Sequence, residues 1–189
     1  MNRRVMNSYE QELTERLKRG DREAQRELYD RFSAPLMAIS MRYMGSRDDA
    51  EDLLHDAFIK IFGSIGKFRY RGEGSLRAWM SRIVVNAALE QLRDSKRHLT
   101  VSLQSSDAAE VDMAAAADVA AVPQAVLQKF IAELPDGYRT VFNLFCIEEY
   151  SHREIARMLG INEKSSSSQL LRAKRMLAAR IRSYIDTNE

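Results

Sequence analysis

The residues with the clearest chemical purpose lie in 151–177, SHREIARMLGINEKSSSSQLLRAKRML, where hydroxyl, amide and guanidinium groups recur at helical spacing behind two caps. Ser151 followed three residues later by Glu154 makes a capping box, in which hydroxyl and carboxylate each satisfy an amide of the first turn. Ile155, Ala156 and Leu159 supply a packing face, and Gly160 supplies the left-handed residue at which that helix stops. Asn162 can then cap a second helix. At ~100° per residue, Ser166, Leu170, Ala173, Leu177 and Ile181 fall on one side of this second helix. Ser165, Ser168, Gln169, Arg172 and Arg175 fall on the other. Small hydroxyls let a helix approach a duplex closely, while amide and guanidinium groups reach base edges and phosphates. The chemistry is that of DNA reading. A solvated amphipathic helix pair is the plain alternative, but cap, turn, second cap and polar face all agree on the reader.

Two further groups of residues could hold nucleic acid or a protein partner. In the loop expected over 63–74, Lys67, Phe68, Arg69, Tyr70, Arg71 and Glu73 interleave aromatics with charges. Such a loop suits an unpaired strand, whose bases stack on rings while its phosphates meet the cations. The competing reading buries Phe68 in the core and leaves the arginines to solvent. The helix that follows, 75–97, is apolar on most sides and carries a polar stripe through Ser75, Arg82, Asn86 and Arg93. Trp79, at the edge of that stripe, is assigned to the core. Upstream, 48–62 reads DDAEDLLHDAFIKIF, with Leu53, Leu54, Phe58, Ile61 and Phe62 on one broad face and five carboxylates concentrated towards its start. Acids suit a helix N-terminus, and they also offer a face to a basic or polar partner.

Other chemistries find no support in the residues. Cys146 stands alone, and His55, His98 and His152 have no metal-ligand spacing to it or to one another. Cys146 sits in the apolar run 141–147, so a buried, inert thiol is expected there. There is no Gly-rich phosphate loop and no nucleophile-base arrangement, so no cofactor, metal or small-molecule substrate is expected. With 189 residues, 45% of them hydrophobic and 30% charged, the composition is that of a globular protein with room for one moderate core or two small ones. No apolar run approaches membrane-spanning length. MNRRVMNSYEQEL has no hydrophobic secretory core, so a cytoplasmic address without membrane insertion is expected.

The elements that must position these residues are helices, because Gly and Pro are scarce and apolar residues recur at three and four throughout. Helices are expected over 9–18, over 22–44 with Pro35 as a possible kink, over 48–62 and over 75–97. Residues 99–122 contain Asp107, Glu110, Asp112 and Asp118 but no Lys or Arg, and read as a tether of low intrinsic order. Beyond Pro123, Leu127, Phe130, Ile131 and Leu134 make one apolar face, and 138–147 makes the helix before the reader. The net charge of +2 therefore conceals two basic modules on an acidic tether. The fold class is all-α: two small helical domains, 1–98 and 123–189, joined by a flexible acidic linker over 99–122, the second ending in a helix-turn-helix.

At this point the residues resemble a known family. DAEDLLHDAFIKIF is similar to D-A-E-D-L-x-Q-[ED]-x-F, and SLRAWMSRIVVNAALEQLR to [FL]-R-x-W-[LM]-x-R-I-x-x-N-x-x-x-D-x-x-R. LPDGYRTVFNLFCIEEYSHREIARMLGI is similar to L-P-x-x-x-R-x-[VA]-F followed by S-x-x-E-I-A-x-x-L-G-I. All three occur in the extracytoplasmic-function (ECF) sigma factors, the small two-domain specificity subunits of bacterial RNA polymerase. The likeness covers nearly the full length. His55 stands where the family often has Gln, and Glu90 where it often has Asp. EKSSSSQLLRAKR departs further from G-T-V-[KR]-S-[RQ]-[LI]-x-R-[AG]-[RK]: Ser166 replaces an apolar core residue and Ser167 a cation that contacts base or phosphate.

The resemblance implies a non-enzymatic subunit that binds core RNA polymerase and promoter DNA, regulated by an anti-sigma protein. It implies that 49–62 docks on the clamp helices of the largest polymerase subunit, through Asp49, Glu51, Asp52, His55, Asp56 and Ile59. Lys67, Arg69, Tyr70, Arg71, Ser75, Arg82, Asn86 and Arg93 would bind the melted non-template strand of the minus-10 element. Ser165, Ser167, Ser168, Gln169, Arg172 and Arg175 would read the minus-35 element. The tether would thread towards the RNA exit path, where an anionic chain suits positively charged surface. The alternative is a helix-turn-helix repressor or activator whose N-terminal domain senses a ligand or dimerises.

Overall fold

The computed structural model describes residues 9–98 and 122–188. The acidic tether over 99–121 therefore lies outside the described residues. Two compact units, Met1–Ala88 and Leu89–Glu189, divide the chain. Among the described residues every regular element is helical.

The first unit opens with α1 (Tyr9–Lys18), whose Leu13 and Leu17 are buried. Gly20 takes a φ of 78° and breaks the chain, and Asp21 then caps α2 (Arg22–Tyr43) by accepting from the amides of Glu23 and Ala24. The elbow is tied by charge. Arg16 Nε and Nη1 each lie 2.8 Å from a carboxylate, of Asp21 and Glu27 respectively, and Tyr9 donates its hydroxyl to Glu27. Arg16 and the two capping amides hold the Asp21 carboxyl below its usual range. The Tyr9 hydroxyl does the same for Glu27, helped by Arg16 and opposed by burial. Both folded values are depressed, so the stability they contribute is present above the unfolded values and lost as pH falls through the folded ones. Thermal stability of the full chain should therefore fall below about pH 4, and Arg16→Met should flatten that fall. Parallel acid titrations of the two proteins would show this elbow to be irrelevant.

The helix α2 runs unbroken through Pro35 and turns Leu28, Phe32, Leu36, Ile39 and Tyr43 inward. Ser46 caps α3 (Arg47–Ser64), which buries Ala50, Leu53, Leu54, Ala57, Phe58 and Ile61. Tyr29 and Phe58 join the two helices, with ring centroids 4.8 Å apart. A loop over 63–74 was expected, but α3 includes Gly63 and Ser64 and is followed by a 3-10 turn over Ile65–Lys67. Open chain begins only at Phe68. Ile65 is buried, and that contact outweighs the helix-breaking tendency of Gly63 and Gly66. α4 (Ser75–His98) buries Leu76, Met80, Val84, Val85 and Ala88 along one side. Each Leu, Met or Val among them contributes roughly 1.5–3 kcal/mol by leaving water.

The second unit contains α5 (Gln124–Ala132), α6 (Asp136–Phe142), a π-helical turn (Asn143–Ile147), α7 (His152–Leu159) and α8 (Glu163–Asn188). Its core joins Leu134, Ala173 and Leu177, with Phe130, Ile131, Tyr138, Phe142 and Met176 packed around them. Arg139 is buried and ties the turn between α5 and α6. Its Nη1 donates to the carbonyls of Ala132 and Leu134 at 2.8 and 3.1 Å, and its Nη2 pairs with Asp136 at 2.6 Å. Arg180 secures the same turn from α8, through the Phe130 carbonyl at 2.9 Å and the Glu133 carboxylate at 3.0 Å.

A single helix over 138–147 with Cys146 buried was expected, and both points are corrected. The α-helix ends at Phe142 and the amide of Glu148 donates to the Asn143 carbonyl at 3.0 Å. An i to i+5 bond inserts a residue into the turn, so the apolar phase slips and Cys146 and Ile147 turn outward. Partial burial raises the Cys146 thiol above its usual range, against a smaller lowering by Lys174.

Candidate nucleic-acid and polymerase interface

In α3 the expected docking residues share the solvent side. Glu51, Asp52, His55, Asp56 and Ile59 are all exposed, and Ile59 is 59% exposed although apolar. Two of the acids also serve the helix itself. Asp49 accepts from Ser46 Oγ at 2.7 Å while its amide donates to that hydroxyl at 3.1 Å, and Glu51 pairs with Arg47 at 2.7 Å. Asp52, His55, Asp56 and Ile59 continue the strip along the helix. A shallow groove beside it is lined by Tyr29, Ser33, Met37, Leu54 and His55.

The loop after the 3-10 turn divides its residues by role. Phe68 is buried and packs on half-buried Trp79, with ring centroids 5.0 Å apart. It belongs to the core, and so does one face of Trp79. Lys67, Arg69 and Arg71 are exposed and Tyr70 is half-buried, so Tyr70 is the less buried of the two aromatics in this loop. Gly72 and Gly74, at φ 118° and 83°, make the reversal into α4. Half-buried Ser75 does not use its hydroxyl on its own helix; Oγ accepts the amide of Arg71 at 3.2 Å and folds the basic segment back on the helix start. Arg82, Asn86 and Arg93 follow on the solvent side of α4. Arg93 Nε reaches back to the Leu89 carbonyl at 3.3 Å.

In the second unit the capping box of Ser151 and Glu154 forms as the spacing requires, and Gly160 closes α7 at φ 67°. Asn162 Oδ1 accepts the amide of Ser165 at 2.7 Å and starts α8. Ser166, Leu170, Ala173, Leu177 and Ile181 are buried. The opposite face is displaced from the expected one. Exposure centres on Lys164, Ser167, Ser168 and Leu171, whereas Ser165, Gln169, Arg172 and Arg175 are half-buried. The solvent face is therefore rotated by about a quarter turn, judged by 100° per residue. The cause is that α5, α6 and α7 all pack on α8, which widens its covered arc beyond the apolar stripe. Arg172, expected at the middle of the exposed face, instead extends Nη1 to the Tyr138 hydroxyl of α6 at 3.4 Å.

Sequence reasoning missed Glu10, Tyr138 and the outward position of Leu171. For Glu10 a signal existed: the residues before α4 are Gly72, Glu73 and Gly74, and Gly74, immediately before the helix, brings no side chain to cap it. Among the described residues, no group of three or more His, Cys, Asp or Glu could hold a metal ion. None of the described helices is long and apolar enough to cross a membrane.

A helical unit with an exposed acidic strip and a basic loop, and another ending in a capped helix-turn-helix, define a two-module DNA-directed protein. Residues 28–98 match the sigma-70 region 2 family and residues 124–177 the sigma-70 region 4 family. The chain is 34% identical over 170 residues to the ECF RNA polymerase sigma factor SigM of Mycobacterium tuberculosis, covering 89% of this chain and 82% of that protein. It is 28% identical to the ECF RNA polymerase sigma-E factor of Haemophilus influenzae, covering 91% and 95%, and 27% identical to SigW of Bacillus subtilis, covering 88% and 93%. The chain belongs to the ECF RNA polymerase sigma factors. Among solved structures it is similar to CnrH in complex with the cytosolic domain of CnrY, with a TM-score of 0.48, 21% identity and coverage of 90% and 96%. The sigma factor RpoE of Bartonella quintana, in complex with the anti-sigma factor NepR, gives a TM-score of 0.47 at 21% identity, with coverage of 82% and 94%.

Proposed function

We propose that this sigma factor acts in the cytoplasm as a non-enzymatic subunit, binding core polymerase through α3, the melted minus-10 strand through the 67–71 loop and α4, and the minus-35 duplex through α8. The observation that carries this reading is the loop at the head of α4. Lys67, Arg69 and Arg71 face solvent around Tyr70 while Phe68 is sequestered in the core. Cations spaced around one partly exposed ring fit a single strand better than a duplex, since a base must leave its stack to meet the ring. In α8, Lys164 and Arg172 supply charge while Ser167 and Ser168, the outermost small residues, permit close approach to the groove. Family membership supports an anti-sigma protein that covers the same α3 and DNA-facing surfaces. Residues 1–98 would then form the polymerase- and minus-10-binding domain, 99–122 the linker and 123–189 the minus-35 domain.

The reading is tested by mixing the purified chain with bacterial core polymerase and selecting from a randomised promoter library, with and without a pre-melted minus-10 segment. Co-migration with core and recovery of a two-element promoter are expected, with weak duplex binding by the chain alone. Tight binding of the free protein to a symmetric site would instead establish an ordinary helix-turn-helix repressor or activator.

A further inference from the structure

We propose that Glu10 is a positioning residue for the strand-binding loop, holding the head of α4 from a helix that lies outside the segment matched to sigma-70 region 2; this rests on the strand-capture reading above. The side chain of Glu10 is 5% exposed, and its Oε2 accepts the backbone amide of Leu76 at 3.3 Å across 66 residues of sequence. Leu76 is itself fully buried, so water has no access to that amide. The first amides of a helix have no partner within it and must be satisfied from outside.

Local residues do not fill this role for Leu76. The residue before the helix is Gly74, which has no side chain, and its φ of 83° is a conformation that favours glycine over any residue able to cap. Ser75, the natural local alternative, has its hydroxyl engaged by the Arg71 amide at 3.2 Å. The loop geometry that presents Arg69 to Arg71 thus displaces the ordinary cap, and Glu10 replaces it. The other end of the loop is held by the same helix, because α1 also packs against the 3-10 turn Ile65–Lys67. Both ends of the basic segment are in this way fixed to α1. A negative group behind a DNA-binding loop would ordinarily weaken strand binding; here it is buried and directed at a helix N-terminus, where its charge is offset by the aligned amides.

The test uses the full chain bound to core polymerase and the promoter recovered by the selection above. Glu10→Asp keeps the charge but withdraws the oxygen by one methylene, and Glu10→Gln keeps both reach and an accepting oxygen. Glu10→Asp should slow open-complex formation about tenfold, as expected for a buried amide left without its acceptor, and weaken capture of the pre-melted strand. Its affinity for core should stay within about twofold, because α3 makes that contact. Glu10→Gln should restore opening to near the parental rate. Parental opening by Glu10→Asp, or equal impairment of core binding and strand capture, overturns the positioning role, as does a Gln variant no better than Asp. Arg69→Ala separates this failure from that of the underlying reading: an effect there without one at Glu10 defeats the inference alone. Parental behaviour of both variants defeats the strand-capture reading and the inference with it.

Discussion

Reversing charge at both Asp52 and Asp56, by Asp52→Lys and Asp56→Lys, will abolish co-migration with bacterial core polymerase while leaving helical content unchanged. Both residues are exposed on α3, whose packing face is carried by Leu53, Leu54, Ala57, Phe58 and Ile61, so the fold loses none of its buried contacts. At a polymerase interface the outcome differs, because like charges brought together cost several kcal/mol and about 3 kcal/mol corresponds to a factor of more than a hundred in affinity. Ile59→Ala should weaken the same association without changing its salt dependence, since it removes apolar area alone. Undiminished affinity of the double Lys variant would reduce the acidic strip to an electrostatic complement of the helix N-terminus.

Tyr70→Ala will slow promoter opening by roughly 5- to 150-fold, the range spanned by about 1 to 3 kcal/mol for one stacked base. The structure narrows the choice of residue: Phe68 is buried against Trp79, so its replacement would mix lost packing with any loss of stacking. Tyr70 is half-buried within the cationic segment. A template already open at the minus-10 element separates the steps, because a defect that persists there lies in strand binding rather than in melting. Equal rates for Tyr70→Ala and the parent on both templates would assign Tyr70 to packing.

The helices and their ends were legible wherever local chemistry decides them. Ser151 and Asn162 cap the helices that their side-chain types predict, and Gly160 takes the left-handed conformation that stops α7. Periodicity also identified the buried stripe of α8 through Leu170, Ala173, Leu177 and Ile181. What escaped was set by tertiary structure. The solvent face of α8 is rotated from the expected one because three helices pack on it, and a single-helix projection contains no neighbours. Cys146 is exposed because one wide turn at Asn143–Ile147 shifts the phase, and no residue type in NLFCI marks such a turn. The acceptor for Leu76 lies 66 residues away, beyond any local window. The loop was overextended at its start because Gly63 and Gly66 favour a break that the burial of Ile65 overrides.

Four serines in succession follow Glu163 and Lys164 in α8, yet only Ser166 is fully enclosed, its hydroxyl 2.9 Å from His152 Nδ1, with the imidazole stacked on Phe145 at 4.5 Å. This polar tie sets the crossing of α7 and α8 at one residue and leaves Ser167 and Ser168 outside the packing. Folding therefore constrains one serine and leaves those two free to diverge. On the proposed reading, a descendant of this protein can acquire a new set of target genes by changes at 167 and 168, without compensating changes inside the domain.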